Sequence, residues 1–280
     1  MRPISVSTAA FDGYALETAF QAIASAGARY VEPAYIKGYL PFDETAFSPD
    51  NAAALAAAAD AAGLTVLAVS AHMNLADGDG RAMLARRIGF AGDLGARFLV
   101  TNAGPASARA EIAAMIRSAL PVLEAAGVVL ALENPGHGSG DLIPSATAGQ
   151  DLVQAIGSPF VRLNADLCNT YTYSGGSADP LQDLLAALPA IAHVHLKDVA
   201  EPSADWRFCP IGEGVIGYSP ILDELARQAP ELPIGIELPL RLERRGRGDP
   251  VRLAEHPALE DVIAAVRRSL DFVRQGLGRA

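Results

Sequence analysis

The sequence predicts an α/β fold, a (β/α)8 TIM barrel forming one domain over residues 1–280. Three observations carry that expectation: a repeated helix-then-strand phrase, the number of its copies, and a first strand that leads into no Gly-rich phosphate turn. The phrase is an Ala/Leu-rich helical run, a Gly or Pro, then a short β-rich run. It occurs as "AIASAGARYVEPAYI", "AAAADAAGLTVLAVSAH", "FAGDLGARFLVTNAG", "VLEAAGVVLALENPG" and "LVQAIGSPFVRLNAD", with "LAALPAIAHVHLKD" and "ARQAPELPIGIELP" as variants. The punctuating Gly27, Gly63, Gly95, Gly127, Gly157 and Pro189 stand 30–36 residues apart. A Gly just past a helix supplies the left-handed cap conformation without steric cost.

Seven such units plus the opening strand "PISVST" give eight strands, and "ALEDVIAAVRRSLDFVRQGLG" supplies the last helix. Strands alternating with helices at this spacing imply parallel pairing with right-handed crossovers, and eight units are the count of a closed barrel. An open doubly wound sheet usually places a Gly-rich turn after its first strand. Here "AAFDGYALE" follows instead.

Half of the 280 residues are apolar and 19% are charged, which excludes disorder. A net charge of −10 argues against nucleic acid as a partner. Cys168 and Cys209 form neither a disulfide framework nor a Cys-x-x-Cys knuckle. The start "MRPISVSTAAFDG" lacks the apolar core of a signal peptide, and no segment approaches the roughly 18 uninterrupted apolar residues of a membrane span. The expectation is a cytoplasmic protein with no membrane partner.

In a barrel the chemistry gathers at the C-terminal strand ends. Strand two ends near Glu32, strand three at His72, strand four at Asn102, and strand five at Glu133 and Asn134. Strand six ends at Asp166, with Asn169 close behind; strand seven carries His193, His195 and Lys197, and strand eight Glu237. Side chains two apart share a strand face, so His193, His195 and Lys197 point the same way. Glu133, Asp166, His195 and Glu237 come from four consecutive strands and can converge near the barrel axis.

The stretch "VVLALENPG" poses the physical problem sharply. Five apolar residues of a buried strand end on Glu133, whose carboxylate is costly to bury without a partner. Three carboxylates gathered together repel and raise each other's pKa. One divalent cation removes the difficulty. Three oxygen ligands and an imidazole, without a thiolate, suit Mn2+ foremost, then Mg2+ or Co2+, and Zn2+ also accepts such a set.

"LALENPG", "LNADLCN", "HVHLKD", "PIGEGVI" and "GIELPL", in that order between Leu130 and Leu240, resemble the xylose isomerase-like barrel superfamily, in its sugar phosphate isomerase/epimerase branch. The resemblance implies metal ligands at Glu133, Asp166, His195 and Glu237, with Glu133 and Glu237 as the catalytic pair that moves protons. It implies an isomerase or epimerase of a sugar, keto-sugar or polyol-derived small molecule, and a homo-oligomer. Two departures matter: where ketose 3-epimerases carry a substrate-contacting His three after the ligand Asp, this chain has Asn169. Where they carry an acid six after the first Glu, it has Ser139. These favour keeping a metal-dependent lyase or dehydratase as the alternative, acting on a keto-polyol, keto-acid or 3-keto-sugar. An abasic-site endonuclease would need histidines where Asn102 and Asn169 stand, and a non-catalytic binding barrel would need no intact ligand set.

Substrate contacts are expected from His72, Asn102, Asn169, His193, Lys197, Glu213 and Arg241. Glu213 lies in the Gly-flanked loop "PIGEGVI". Arg241, Arg244, Arg245, Arg247 and Arg252 cluster after strand eight, either as a solvated charge run or as a clamp for a carboxylate or phosphate.

Overall fold

Eight parallel strands close into a ring in the computed structural model, which describes residues 2–37, 41–201 and 204–278. The first is β1 (Ile4–Ser7). The second is β2 (Tyr30–Glu32) continued as β3 (Ala34–Tyr35), interrupted at Pro33, whose ring nitrogen has no N–H to give to a ladder. The third is β4 (Thr65–Val66) continued as β5 (Ala68–Ala71). These two broken strands pair twice, Val31 opposite Val66 and Ala34 opposite Ser70, and that joint closes the barrel. The ring then runs through β6 (Phe98–Asn102), β7 (Val129–Glu133), β8 (Val161–Asp166) and β9 (Ile191–Leu196). β12 (Ile234–Ile236) returns it to β1.

The helices follow the predicted alternation: α1 (Leu16–Ser25), α2 (Pro49–Ala61), α3 (Gly80–Asp93), α4 (Arg109–Ala126), α5 (Ala146–Ile156), then α6 (Leu167–Tyr173) with α7 (Pro180–Ala187), α8 (Tyr218–Gln228) and α9 (Leu259–Leu277). Their limits are chemical. Ser48 caps α2 ahead of Pro49, Asp179 caps α7 ahead of Pro180, and Gly127 and Gly157 end α4 and α5 at φ 66° and 68°. No helix among the described residues is long and apolar enough to cross a membrane.

Alternation along each strand separates two interiors. Outward residues such as Val6, Val31, Leu99, Leu130, Leu132, Val194 and Ile236 join the helices in one large apolar core. Inward residues Leu67, Ala68, Phe98, Val100 and Ala131 plug the bore. Other inward positions are polar, and they include Ser5, Glu32, Ser70, Asn164 and His193, all buried.

Strand β9 owes its inward histidines to a bulge. Leu163 of β8 faces Ile191, whereas the next residue, Asn164, faces His193, so Ala192 is an extra residue in β9. Ile191 packs outward with the helix core. Without the insertion, a period of two would send His193, His195 and Lys197 outward as well.

The loops after the seventh and eighth strands are more ordered than the sequence suggests. They build a second, antiparallel sheet of β10 (Asp198–Ala200), β11 (Trp206–Cys209), β13 (Leu242–Arg244) and β14 (Val251–Arg252). Leu242 from β13, with Asp249 and Pro250 from the connection to β14, borders the mouth of the barrel.

Candidate metal centre

Glu133, Asp166, His195 and Glu237 meet at the C-terminal end of the bore. Each offers a ligand atom, and all four atoms lie within 4.8 Å of one another. His195 Nδ1 is 2.6 Å from Glu133 Oε1, 3.7 Å from Glu237 Oε2 and 4.0 Å from Asp166 Oδ2. All four residues are at most 1% exposed.

Local sequence explains how each is aimed. Asp166 caps α6: its Oδ1 accepts the Asn169 N–H at 2.8 Å, which leaves Oδ2 for the centre. Asn134 clips the ends of β7 and β8 together, donating from Nδ2 to the Asp166 carbonyl and accepting the Asp166 N–H, each at 2.9 Å. Asn164 Nδ2 donates to Glu133 Oε1 at 2.7 Å. Glu133 Oε2 is thereby turned toward His72, whose Nε2 stands 3.3 Å away without the alignment of a hydrogen bond.

The electrostatics fit a dication. Four buried carboxylates, counting Glu32 beneath the centre, face the Lys197 ammonium and the His195 ring. Lys197 Nζ lies 2.8 Å from Asp166 Oδ2 and 2.7 Å from Glu237 Oε2. Within the protein alone, burial and the neighbouring Glu133 and Glu237 push Asp166 up to about 7 despite Lys197. Glu133 goes the other way: burial opposes its charge, but His72 and His195 hold it at about 2. For His195 too burial opposes the charge, yet Glu32 and Glu133 raise it well above an ordinary histidine. Burial lowers His72, against the pull of Glu133 and Glu237. A donor set of three carboxylates and one imidazole, short of positive charge and closed to solvent, is one that a divalent ion would complete.

A cavity of about 680 Å3 opens above these residues. His72, Asn102, Asn169 and Lys197 line it, as expected from the sequence. So do Lys37, Asn74, His137, Ser139, Asp141 and Asp249. The Asn169 amide is partly committed, because Nδ2 donates to the Asn134 carbonyl at 2.8 Å.

Three expected contacts lie elsewhere. His193 is fully buried below the centre, its Nδ1 2.9 Å from Asn164 Oδ1. Glu213 turns away because its loop is held from the other side: Asp198 accepts the N–H groups of Gly212, Gly214 and Ile216. Glu213 then meets Arg268 on α9 at 2.7 Å. Arg241 donates to the Leu253 and Ala254 carbonyls and faces Asp12.

The other arginines of that segment are likewise engaged within the chain. Arg252 forks onto Asp12 with two 2.7 Å bonds, Arg245 pairs with Glu243, and Arg247 faces Glu201. Arg244 stacks on the Trp206 ring and donates to the Gly136 carbonyl. The segment fastens the antiparallel sheet to the barrel. Its side chains form that fastening, not an open anion clamp.

Solved structures of known proteins share this architecture. L-ribulose 3-epimerase superposes with a TM-score of 0.73 at 19% identity, covering 99% of this chain and 95% of its own. D-psicose 3-epimerase of Clostridium cellulolyticum H10, solved with D-tagatose, gives 0.76 at 16% identity over 98% and 99%. The probable 3-DHS dehydratase AsbF of Bacillus anthracis gives 0.65 at 16% over 95% and 98%. No curated protein sequence matches the chain significantly. The model of the xylose isomerase-like TIM barrel matches residues 20–270, and the chain belongs to that family.

Proposed function

We propose that the protein is a divalent-metal-dependent enzyme that isomerises or epimerises a sugar, keto-sugar or polyol-derived substrate by proton transfer beside a carbonyl. The observation that carries this reading is the buried Glu133–Asp166–His195–Glu237 cluster at the floor of a polar cavity. These four residues would hold the ion, with Mn2+ the best match to an oxygen-rich set. When bound, it would polarise the substrate carbonyl and acidify the adjoining C–H.

The remaining work falls to the chain. Glu133 ends β7 and Glu237 directly follows β12, two strands separated round the barrel by β8 and β9, so they reach the cavity from different sides. Glu133 Oε2 takes the C–H proton on one side, and the Glu237 carboxylate delivers or accepts one on the other. His72, beside Glu133, and Asn102 orient hydroxyl groups. Lys197 gives positive charge to the carboxylates and faces the cavity.

A lyase or dehydratase outcome has a specific observation in its favour. His72 Nε2 has no hydrogen-bond partner and borders the cavity beside Glu133. It is placed to protonate a departing hydroxyl after the same first step. One experiment separates the readings: Mn2+-loaded protein is incubated in D2O with a panel of keto-sugars, inosose-like rings and acidic keto-sugars, and products are followed by NMR. Isomerisation conserves mass apart from exchanged deuterium; elimination loses water or carbon dioxide. Full activity in chelator, with no metal in the purified protein, would overturn the metal reading.

A further inference from the structure

We propose that Glu32 is a positioning residue for the metal centre: from the layer beneath, its carboxylate fixes the His195 ring so that Nδ1 is the nitrogen offered to the ion. This rests on the metal-centre reading above. Glu32 is fully buried on the inner face of β2, with Oε1 2.8 Å from His195 Nε2. A carboxylate only accepts, so Nε2–H donates to Glu32; Nδ1, which stands 2.6 Å from Glu133 Oε1, is then the nitrogen that would give up its proton and offer its lone pair to an ion. That nitrogen is the one facing Glu133, Asp166 and Glu237.

The carboxylate is itself held in place. Ser70 Oγ donates to Oε1 at 2.6 Å and Ser5 Oγ to Oε2 at 3.4 Å. Strand β12 leaves room for the arrangement, since a Cβ at Gly235 would come within 2.8–2.9 Å of His195, Glu32 and His193. A carboxylate is costly to bury at this depth without a partner, and other inward positions of the bore are filled by Val100 and Ala131. The charge therefore has a task beyond packing, and among the described residues its nearest ring nitrogen is that of His195.

Glu32, His193 and His195 also present atoms within 4.8 Å of one another. A second ion there would need the His195 nitrogen that Glu32 already engages, and His193 Nε2 stands 3.9 Å from Glu32. A hydrogen-bonded orienting pair accounts for the geometry with one ion per chain.

The test compares wild type, Glu32→Gln and Glu32→Leu as full chains. Metal stoichiometry, Mn2+ affinity by competition with a chelating dye, the visible spectrum of the Co2+ form, and Tm in chelator are measured. Wild type should hold one ion. Glu32→Gln, which keeps the shape and the fold, should bind Mn2+ about tenfold more weakly with a shifted Co2+ spectrum, and Glu32→Leu up to about 100-fold more weakly. If Glu32→Leu does not fold, Glu32→Gln decides alone. Wild-type affinity and spectrum in Glu32→Gln overturn the proposal, as do two ions per chain with one lost in Glu32→Leu. A wild type that binds no divalent ion fails one step earlier and removes the metal centre itself.

Discussion

Leu132 and Glu133 are neighbours on β7 and live in opposite worlds. Leu132 faces outward into the helix-packed core, where Leu130, Leu163 and Val194 surround the same shell. Glu133 faces inward, where Asn164, His195 and His72 crowd its two oxygens. The outer core is held by apolar burial, which is tolerant of detail and roughly proportional to area. The inner one is held by charge, where each group depends on its partner and a missing partner leaves an expensive orphan. The wall of one barrel thus carries an apolar face held by area and a polar face held by charge.

The largest break in this contrast should come from the inner face. Glu237→Gln is expected to lower turnover by about 10²–10⁴-fold, the usual range for a lost proton-transfer group. Its Tm in chelator should hold or rise, because one of the crowded carboxylates is neutralised. Lys197→Met removes the cation shared by Asp166 and Glu237. The metal-free protein should lose about 3–5 kcal/mol in denaturant titrations, while Mn2+ affinity rises because the ammonium no longer competes for those oxygens.

Leu132→Ala sharpens the comparison from outside. It should cost about 2–5 kcal/mol as a cavity in the core, with turnover per folded molecule unchanged. A fall in turnover with no loss of stability would blur the distinction between the faces. The smallest effect is expected at Glu213→Ala, where an exposed pair with Arg268 contributes at most about 1 kcal/mol and commonly less. Turnover should stay at the wild-type level; a large loss would bring the "PIGEGVI" loop back into the site.

The barrel was legible because its signals are local. The five predicted cap glycines all carry positive φ, from 66° at Gly127 to 94° at Gly27, and the helix-strand alternation follows them. The meeting of Glu133, Asp166, His195 and Glu237 was legible for a related reason: barrel topology turns the ends of consecutive strands into neighbours. The Ala192 bulge left no mark in the sequence, since a period of two reads the same before and after one inserted residue. "HVHLKD" gave the shared face of its side chains, while the bulge chose the inward direction.

Other features depended on partners far along the chain. Glu32 reads as a strand-end acid until His195, 163 residues later, is placed against it. Arg241 and Arg252 read as a solvated charge run or a clamp until Asp12 and the carbonyls of Leu253 and Ala254 claim them. Glu213 reads as a rim residue until Asp198 gathers the backbone around it and turns the side chain outward. No spacing rule contains those pairings.

By itself, then, the sequence determined the succession of helices and strands, their caps, and which strand ends carry ionisable groups, because backbone conformation answers to near neighbours and to apolar period. Tertiary structure decided how closely those groups gather, which of them lie buried beneath the four-residue cluster, and which were drawn off to fasten a second sheet. Charges and hydrogen bonds act over a few ångströms, and only folding brings residues from distant parts of the chain within that reach.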